Sequence, residues 1–287
     1  MRAFIKVQEG CNSFCSYCVV PLVRGREISV PVEKVVAEVA QRVEEGHREV
    51  VITGTEPGRY VFGQTRLQGL IEHVLAQTRV PRLRLSSLQP PEVTADLLRL
   101  WESPRLCRHF HLSLQSGSDS VLERMGRCYS SEEYREKVRL IRSRMPGAAV
   151  TTDVITGFPG ENEGEFEESL MFCRELGFAR LHIFPFSGRA GTRAAEMGGQ
   201  VAPAEINQRV EVWLELARQS RRDYLQKSLN SAASVLFEQG KEGLWWGFTG
   251  NYIKTYLNNP GNMTNQIAEV KLLHLFKDGV EAAISDE

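Results

Sequence analysis

Residues 4–18, FIKVQEGCNSFCSYC, join a predicted β-strand to three closely spaced cysteines, and the rest of the chain is organised around this stretch. The strand Phe4–Gln8 runs into a C-x3-C-x2-C run formed by Cys11, Cys15 and Cys18. Iron–sulfur clusters normally take four thiolate ligands. Three thiolates at this spacing can therefore hold three irons of a [4Fe–4S] cluster and leave the fourth iron open to a small molecule.

Two other uses of these cysteines are open. A structural zinc site takes four ligands, and the nearest histidine is His47, far along the chain. A disulfide framework is typical of small secreted proteins rather than of a 287-residue chain with six cysteines. The other three, Cys107, Cys128 and Cys173, are scattered and are predicted to be ordinary buried or partly buried thiols.

The bulk properties exclude several classes of protein. The chain has 35 Lys and Arg residues against 36 Asp and Glu residues, which argues against nucleic-acid binding through net charge alone. The N-terminus MRAFIKVQEG has no long apolar stretch typical of a signal peptide. No apolar run reaches about 18 residues, so we expect no membrane span. A reducing, cytoplasmic compartment is predicted, because oxidised cysteines cannot hold iron.

Short apolar runs alternate with amphipathic segments through the first two thirds of the chain. The predicted strands are Phe4–Gln8, Glu49–Thr53, Leu83–Ser87, His109–Gln115, Ala149–Ile155 and Arg180–Phe186. The predicted helices are Val32–Glu45, Leu67–Gln77, Thr94–Trp101, Ser131–Arg144 and Glu163–Leu176. This order predicts an α/β fold with a parallel sheet, and six units indicate a partial, open (β/α) barrel. Ligands of such barrels bind at the carboxyl ends of the strands, which here are rich in glycine and polar residues.

The composition changes after this barrel, which we place at residues 1–201. Residues 202–229 form a helical pattern that we interpret as a connector. Residues 230–287 alternate apolar and polar residues between Gly, Asn and Pro turns, which predicts a small antiparallel β-barrel of about five strands. Its aromatic residues are candidates for stacking on bases, although some must lie in the core: Trp245, Trp246, Phe248, Tyr252 and Tyr256.

Several longer motifs resemble the methylthiotransferases of the radical S-adenosylmethionine (SAM) superfamily. The matching segments are LRLSSLQPPEVT, HFHLSLQSGSDSVLERM, VTTDVITGFPGENEGEFEES and RLHIFPFSGRAGTRAAEM. In that superfamily SAM chelates the open iron, and one electron from the cluster cleaves SAM to a 5′-deoxyadenosyl radical. The resemblance implies a six-stranded radical SAM barrel and a C-terminal RNA-binding TRAM-like barrel. It is greatest to the branch acting on threonylcarbamoyladenosine at position 37 of tRNA. The branches acting on isopentenyladenosine or on a ribosomal-protein aspartate are similar.

The resemblance also assigns roles to residues at the strand ends. Cys11, Cys15 and Cys18 would be the catalytic and metal-binding residues. The implied cofactor-binding residues are Tyr17, Gly54, Thr55, Glu56, Gln115, Ser116, Arg127, Asp153 and Phe184. Among these, Arg127 would bind the SAM carboxylate through its guanidinium fork, and Glu56 would bind the SAM amino group. Asp153 would accept hydrogen bonds from ribose hydroxyls, and Phe184 would lie near the adenine or line the barrel.

The family resemblance further implies one [4Fe–4S] cluster and SAM as cofactors, and tRNA as the substrate. It implies an electron donor such as flavodoxin or ferredoxin. Family members carry an additional N-terminal domain with three cysteines for a second cluster that handles the sulfur. This chain starts at Met1, just before the first predicted strand, so we expect a truncated form that needs a separate N-terminal domain chain for methylthiolation.

Three hypotheses remain after the sequence is read. The first is a tRNA methylthiotransferase that inserts a methylthio group at C2 of the adenine. The second is a module that docks tRNA or cleaves SAM but completes no reaction alone. The third is a different radical SAM reaction that needs a single cluster. The complete cysteine run and the barrel-edge motifs favour preserved SAM chemistry over binding alone.

Overall fold

The computed structural model describes residues 1–285, and strands and helices alternate through its first 185 residues. The strands of this part are β1 (Arg2–Glu9), β2 (Ile28–Ser29), β3 (Glu49–Gly54), β4 (Val61–Phe62), β5 (Thr65–Arg66), β6 (Arg82–Leu85), β7 (Ser87–Leu88), β8 (His109–Leu112), β9 (Ala149–Thr156) and β10 (Arg180–Pro185). The helices are α1 (Val20–Arg24), α2 (Val32–Glu44), α3 (Leu67–Gln77), α4 (Ala95–Arg99), α5 (Asp119–Met125), α6 (Ser131–Arg144), α7 (Glu163–Leu176) and, after β10, α8 (Arg193–Glu196).

The long parallel strands form a curled sheet that is open on one side. β1 pairs in parallel with β3, and β3 with β6, while β7, β8, β9 and β10 pair in parallel in that order. A bridge between Leu83 and Leu106 continues the curve from the first set of strands to the second. The predicted strand Leu83–Ser87 is interrupted between β6 and β7, so the sheet corresponds to the six predicted strands. The prediction of an α/β fold with a curled parallel sheet is confirmed.

The outer helices cover the sheet with apolar stripes that the sequence already shows. Val32, Val35, Val36 and Val39 of α2 recur at helical spacing, and all four are buried. A stripe of the same spacing on α3 is also buried. The predicted helix Thr94–Trp101 is shorter, because α4 gives way to a 3₁₀ turn. Within residues 1–285, no helix is both long enough and apolar enough to cross a membrane.

The C-terminal part is a long helix followed by a closed barrel. α9 (Pro203–Lys227) packs against β10. The barrel strands are β11 (Ala232–Lys241), β12 (Leu244–Thr249), β13 (Lys254–Asn258), β14 (Ile267–Phe276) and β15 (Gly279–Ile284), in the order β11-β12-β13-β15-β14. The prediction that the barrel is entirely antiparallel is wrong, because β13 and β15 pair in parallel. Residues 286–287 of the predicted C-terminal domain lie outside the described residues.

The turn between β12 and β13 faces the curled sheet rather than solvent. The Tyr252 ring stacks on His109 with ring centroids 4.8 Å apart, and its backbone φ is 66°. Phe248 packs on Tyr252, with centroids 5.1 Å apart. Tyr256 is buried. These three predicted candidates for base stacking are therefore engaged within the protein.

A buried ionic cluster at the amino ends of the parallel strands joins the curled sheet to the C-terminal barrel. The Glu49 carboxylate, fully buried at the start of β3, accepts contacts from Arg2 at 2.9 Å, Arg82 at 2.8 Å and Arg84 at 2.9 Å. Arg84 also donates to the Gly250 carbonyl at 3.1 Å, in the turn that packs against the sheet. Burial alone would raise the pKa of Glu49, but the adjacent guanidinium groups outweigh it and hold the pKa below its ordinary value. The carboxylate is therefore ionised and links the sheet to the barrel.

Replacing Glu49 with glutamine is expected to lower the free energy of unfolding by about 3–5 kcal/mol, because it leaves buried guanidinium groups without their countercharge. Chemical denaturation followed by circular dichroism measures the change. The control is Glu215→Gln, which removes an exposed pair with Arg218 and should cost no more than about 1 kcal/mol. Equal effects of the two substitutions would contradict a stabilising role for the buried cluster.

Candidate functional site

The three cysteines of the run line a single cavity at the carboxyl ends of the parallel strands. This cavity has a volume of about 210 Å³. Five of the predicted cofactor-binding residues line it together with Cys11, Cys15 and Cys18: Tyr17, Thr55, Glu56, Gln115 and Arg127. They come from the loops after β1, β3 and β8 and from the end of α5. Loops far apart in the sequence thus meet where the parallel sheet predicts a ligand site.

Close backbone contacts hold the cysteine loop in place. Gly10 has a φ of +74°, and a Cβ atom there would lie 2.1 Å from the carbonyl oxygen of Arg26. Any other residue at this position would therefore push the loop away from its neighbour. The Ser16 N–H donates to the Met125 carbonyl at 2.9 Å, at the end of α5. The loop is fixed on both sides before any ligand binds.

The environment of the thiols suits metal ligation better than nucleophilic catalysis. The Cys11 Sγ lies 2.9 Å from a Glu56 carboxylate oxygen and accepts the Ser13 N–H at 3.2 Å. Burial raises the pKa of Cys11 to about 11, and the hydrogen bond to Glu56 adds to this. Burial also raises the pKa of Cys18. Such thiols are poor free nucleophiles at neutral pH, whereas a bound cation deprotonates them. The residues fit an iron–sulfur cluster.

The cavity lacks the ligands of a closed zinc site made of cysteine and histidine. Among residues 1–285, no histidine and no fourth cysteine lines it. The remaining cysteines lie apart: Cys107 is buried 3.9 Å from Glu49, at the opposite end of the strands. Cys128 is exposed, and Cys173 is buried within α7. They are not placed to form a second three-cysteine site.

Arg127 extends its guanidinium toward the cysteines. Nη1 donates to the Cys15 Sγ at 3.2 Å, and Nη2 donates to the Gln89 side-chain oxygen at 3.0 Å. Nε donates to the Tyr129 hydroxyl at 2.9 Å, and the guanidinium carbon lies 4.8 Å from the centre of that ring. Burial lowers the pKa of Arg127, but Tyr129 and the neighbouring phenol and thiol groups raise it above its ordinary value overall. Arg127 is therefore not a solvated surface arginine.

Two residues of the loop after β7 also belong to the site, although the sequence does not single them out. The Gln89 side chain donates to Glu56 and accepts from Arg127, so it links the two predicted SAM contacts. Glu92 also lines the cavity, and burial raises its pKa to about 7 despite a hydrogen bond from the Gln89 backbone. Both residues lie in the segment LRLSSLQPPEVT, and nothing local distinguishes their side chains from ordinary loop residues.

Four predicted cofactor-binding residues do not line this cavity. Gly54 allows close approach of β1, since a Cβ there would lie 2.7 Å from the Gln8 carbonyl oxygen. The Ser116 hydroxyl is buried against Ser169 on α7, with 2.9 Å between the two oxygens. Phe184 on β10 is 49% exposed. Asp153 lies on the inner face of the sheet and lines a separate, larger cavity.

Comparison with known proteins gives a family match over most of the sheet. The family described as "Radical SAM superfamily" matches residues 5–173. The chain is 40% identical over 281 residues to the "Threonylcarbamoyladenosine tRNA methylthiotransferase MtaB" of Chlamydia pneumoniae, covering 97% of this chain and 67% of the relative. It is 36% identical to the protein of that name in Bacillus subtilis, covering 95% and 62%. It is also 34% identical to the "tRNA-2-methylthio-N(6)-dimethylallyladenosine synthase" of Endomicrobium trichonymphae, covering 96% and 67%.

Two solved structures have a similar fold at low identity. The radical S-adenosylmethionine methyltransferase TsrM from Kitasatospora setae has a TM-score of 0.57 at 20% identity, over 67% of this chain and 36% of that chain. Coproporphyrinogen III oxidase from Escherichia coli has a TM-score of 0.57 at 14% identity, over 76% and 52%. These identities support the fold alone. The chain spans about two thirds of the length of the curated relatives, from 62% to 67% for the three named above.

Proposed function

The chain belongs to the radical SAM superfamily, and we propose that it acts in methylthiolation of threonylcarbamoyladenosine at position 37 of tRNA. The observation that carries the proposal is the single cavity in which Cys11, Cys15 and Cys18 meet Arg127 and Glu56. The relatives from Chlamydia pneumoniae and Bacillus subtilis, named for this reaction, support the choice of substrate.

The cofactors of the superfamily are a [4Fe–4S] cluster and SAM. When they are bound, the cluster supplies the electron that cleaves SAM, and SAM supplies the radical chemistry at C2 of the adenine. Cys11, Cys15 and Cys18 would be the ligands of three irons. Arg127 would bind the SAM carboxylate, and Glu56 would accept hydrogen bonds from the SAM amino group.

The contacts around these residues explain how the chain would orient SAM. Gln89 and Tyr129 each hold one edge of the Arg127 guanidinium, so the side chain is positioned in advance. Pre-positioned groups lose less conformational freedom on binding and strengthen the interaction with a ligand. Tyr17 is partly buried and lines the cavity beside the cysteines.

Arg127→Lys is expected to weaken SAM binding by about tenfold while leaving the iron content unchanged, because an ammonium group cannot reproduce two parallel hydrogen bonds to a carboxylate. Isothermal titration of SAM into the anaerobic, cluster-loaded protein measures the Kd. Arg99→Lys, on the exposed face of α4, serves as the control. An unchanged Kd in the Arg127 variant would remove this residue from the SAM site.

We further propose that residues 202–229 connect the radical SAM barrel, residues 1–201, to a TRAM-like barrel from residue 230 that binds RNA. The closed five-stranded barrel within the described residues supports this division. The buried contacts of Arg82 and Arg84 with the turn at residues 248–250 would hold that barrel in a fixed orientation. RNA bound to the TRAM-like barrel would then be presented to the radical SAM barrel in one geometry.

Deletion of the coding region in its host, followed by mass spectrometry of digested tRNA, tests the proposed function. We expect loss of the 2-methylthio form of threonylcarbamoyladenosine with accumulation of the unthiolated nucleoside. Restoration by the wild-type gene, but not by the Cys11/Cys15/Cys18 alanine variant, links the change to this site. Loss of the methylthio group from isopentenyladenosine instead would assign the chain to the other tRNA-modifying branch, represented by the relative from Endomicrobium trichonymphae.

A further inference from the structure

A second cavity lies on the inner face of the curled sheet, next to the cysteine cavity. Its volume is about 600 Å³, within the range of small-molecule sites. Thr55, Ser87 and Ser113 line both cavities, so the two spaces adjoin. A group bound in the second cavity therefore has access to the place proposed for SAM.

A hydrogen-bonded row of side chains crosses one wall of this second cavity. Thr151 Oγ1 lies 3.0 Å from His111 Nδ1, and His111 Nε2 lies 3.1 Å from one oxygen of Asp153. The other Asp153 oxygen lies 3.1 Å from His182 Nδ1. Burial would raise the pKa of Asp153, but the hydrogen bonds from His111 and His182 outweigh it and hold the pKa well below its ordinary value. The carboxylate is ionised, and both of its oxygens are engaged by imidazoles.

This arrangement fixes His182 and leaves one of its nitrogens available. Asp153 accepts the hydrogen bond from Nδ1, which orients the ring. Nε2 of His182 has no hydrogen-bond partner among residues 1–285. The His111 and His182 rings also stack, with centroids 5.5 Å apart, which further restricts rotation. His182 can thus offer Nε2 to a ligand without rearranging.

Arg180 supplies a positive charge without a countercharge. It precedes His182 by two residues on β10, and alternate residues of a strand share a face. Arg180 lines the second cavity, is exposed, and has no side-chain hydrogen bond or ion pair within the described chain. Burial lowers the pKa of Arg221, and the positive charge of the neighbouring Arg180 lowers it further. By contrast, the other arginine of this cavity, Arg84, forms an ion pair with Glu49. An anion beside Arg180 would relieve the repulsion between two cations.

We propose that Arg180 binds the carboxylate of the threonyl group of the substrate nucleoside, that His182 Nε2 accepts a hydrogen bond from the hydroxyl of the same group, and that the two side chains so determine which modified adenosine is accepted. The inference rests on the proposed function, because that nucleoside carries a carboxylate that isopentenyladenosine lacks. A guanidinium matches a carboxylate in geometry and charge. An imidazole that donates from Nδ1 to Asp153 presents Nε2 as an acceptor, which suits a hydroxyl. His111, Asp153 and His182 also have the composition of a divalent-metal site. Both oxygens of Asp153 are already engaged by imidazoles, whereas Arg180 has no ion pair within the described chain, so we expect this space to bind an anion rather than a cation.

The test compares two anticodon stem-loops that differ in one group. One carries threonylcarbamoyladenosine, and the other carries its neutral carboxamide. Fluorescence anisotropy with the cluster-loaded chain measures both Kd values. We expect the wild-type protein to prefer the carboxylate by about tenfold or more, which corresponds to at least about 1.4 kcal/mol. Arg180→Ala should reduce this preference to less than about twofold while leaving the affinity for the carboxamide unchanged.

Further variants separate recognition from loss of structure. Arg180→Lys should retain part of the preference, and His182→Gln should weaken the binding of both stem-loops without removing the preference. Arg174→Ala, which removes an exposed arginine from the outer helix α7, should leave it intact. An Arg180→Ala protein that keeps the full preference for the carboxylate would overturn the inference. So would binding of a divalent metal at the His111, Asp153 and His182 side chains that competes with the stem-loop.

Two patterns in the wild-type protein distinguish failure of the inference from failure of the proposed function. Preference for the threonylcarbamoyl stem-loop over an unmodified one, combined with equal affinity for carboxylate and carboxamide, overturns the inference alone. Equal affinity for the modified and the unmodified stem-loops overturns the proposed substrate, and the inference falls with it.

Discussion

Simultaneous replacement of Cys11, Cys15 and Cys18 by alanine is expected to abolish both iron binding and SAM cleavage. After anaerobic reconstitution the wild-type chain should bind about four irons, because thiolates are the cluster ligands. The triple variant removes every thiol that lines the cavity. Iron and acid-labile sulfide analyses, together with the brown absorbance of the cluster, measure the first effect. Quantification of 5′-deoxyadenosine measures the second.

Cys128→Ala is the matched control for this experiment. Cys128 directly follows Arg127 but is exposed and does not line the cavity. Its removal should leave the iron content and the SAM cleavage unchanged. A brown chromophore with four irons in the triple variant would show that the cluster has other ligands.

The second large effect is the absence of a methylthio product from the 287-residue chain alone. The chain with SAM and reductant is expected to form 5′-deoxyadenosine but no methylthio-modified tRNA. The family resemblance assigns the sulfur to a second cluster, which needs three more thiolates. The remaining cysteines cannot supply them, because they lie far apart. Cys107 is buried beside Glu49 at the amino ends of the strands, Cys128 is exposed, and Cys173 is buried in α7. Mass spectrometry of digested tRNA carrying threonylcarbamoyladenosine measures the product.

Addition of the family's N-terminal domain, fused or as a separate chain, should restore the product in this assay. The same domain with its three cysteines replaced by alanine is the control and should restore nothing. Robust methylthiolation by the 287-residue chain on its own would show that the second cluster is dispensable or is formed by residues other than those considered.

The elements that positioned the site were largely predictable, because their signals are local. The C-x3-C-x2-C run predicted the superfamily, and the family match over residues 5–173 confirms that prediction. The apolar spacing of α2 and α3 predicted their buried faces. Parallel order then placed the strand ends at one edge, which is why Glu56 and Arg127 could be expected near the cysteines.

The roles of side chains on the inner face of the sheet could not be predicted in the same way. The sequence predicts that Asp153 contacts SAM, but it does not predict the position between His111 and His182, on neighbouring strands to either side, in which the structure places this side chain. That contact depends on the register of β8, β9 and β10, which no local pattern specifies. Gln89 was likewise missed because its two partners are distant in the sequence.

In the C-terminal barrel, too, the strands could be predicted from the sequence but their pairing could not. Alternating apolar residues predicted about five strands correctly, but the parallel pairing of β13 with β15 depends on how the barrel closes. Tyr252 was a candidate for base stacking, and in the structure its ring instead stacks on the ring of His109, at the start of β8. An aromatic residue in a turn carries no sequence signal that separates binding to RNA from packing against another part of the same chain.

Cleavage of SAM by the isolated chain is the measurement on which the assignment depends. Cluster-loaded protein is incubated anaerobically with SAM and dithionite, and 5′-deoxyadenosine and methionine are quantified by mass spectrometry. We predict equal amounts of the two products, with at least one equivalent per cluster, and loss of both products when Cys11, Cys15 and Cys18 are replaced. Intact SAM in the presence of a fully formed, reduced cluster would contradict the assignment of this cavity to radical SAM chemistry.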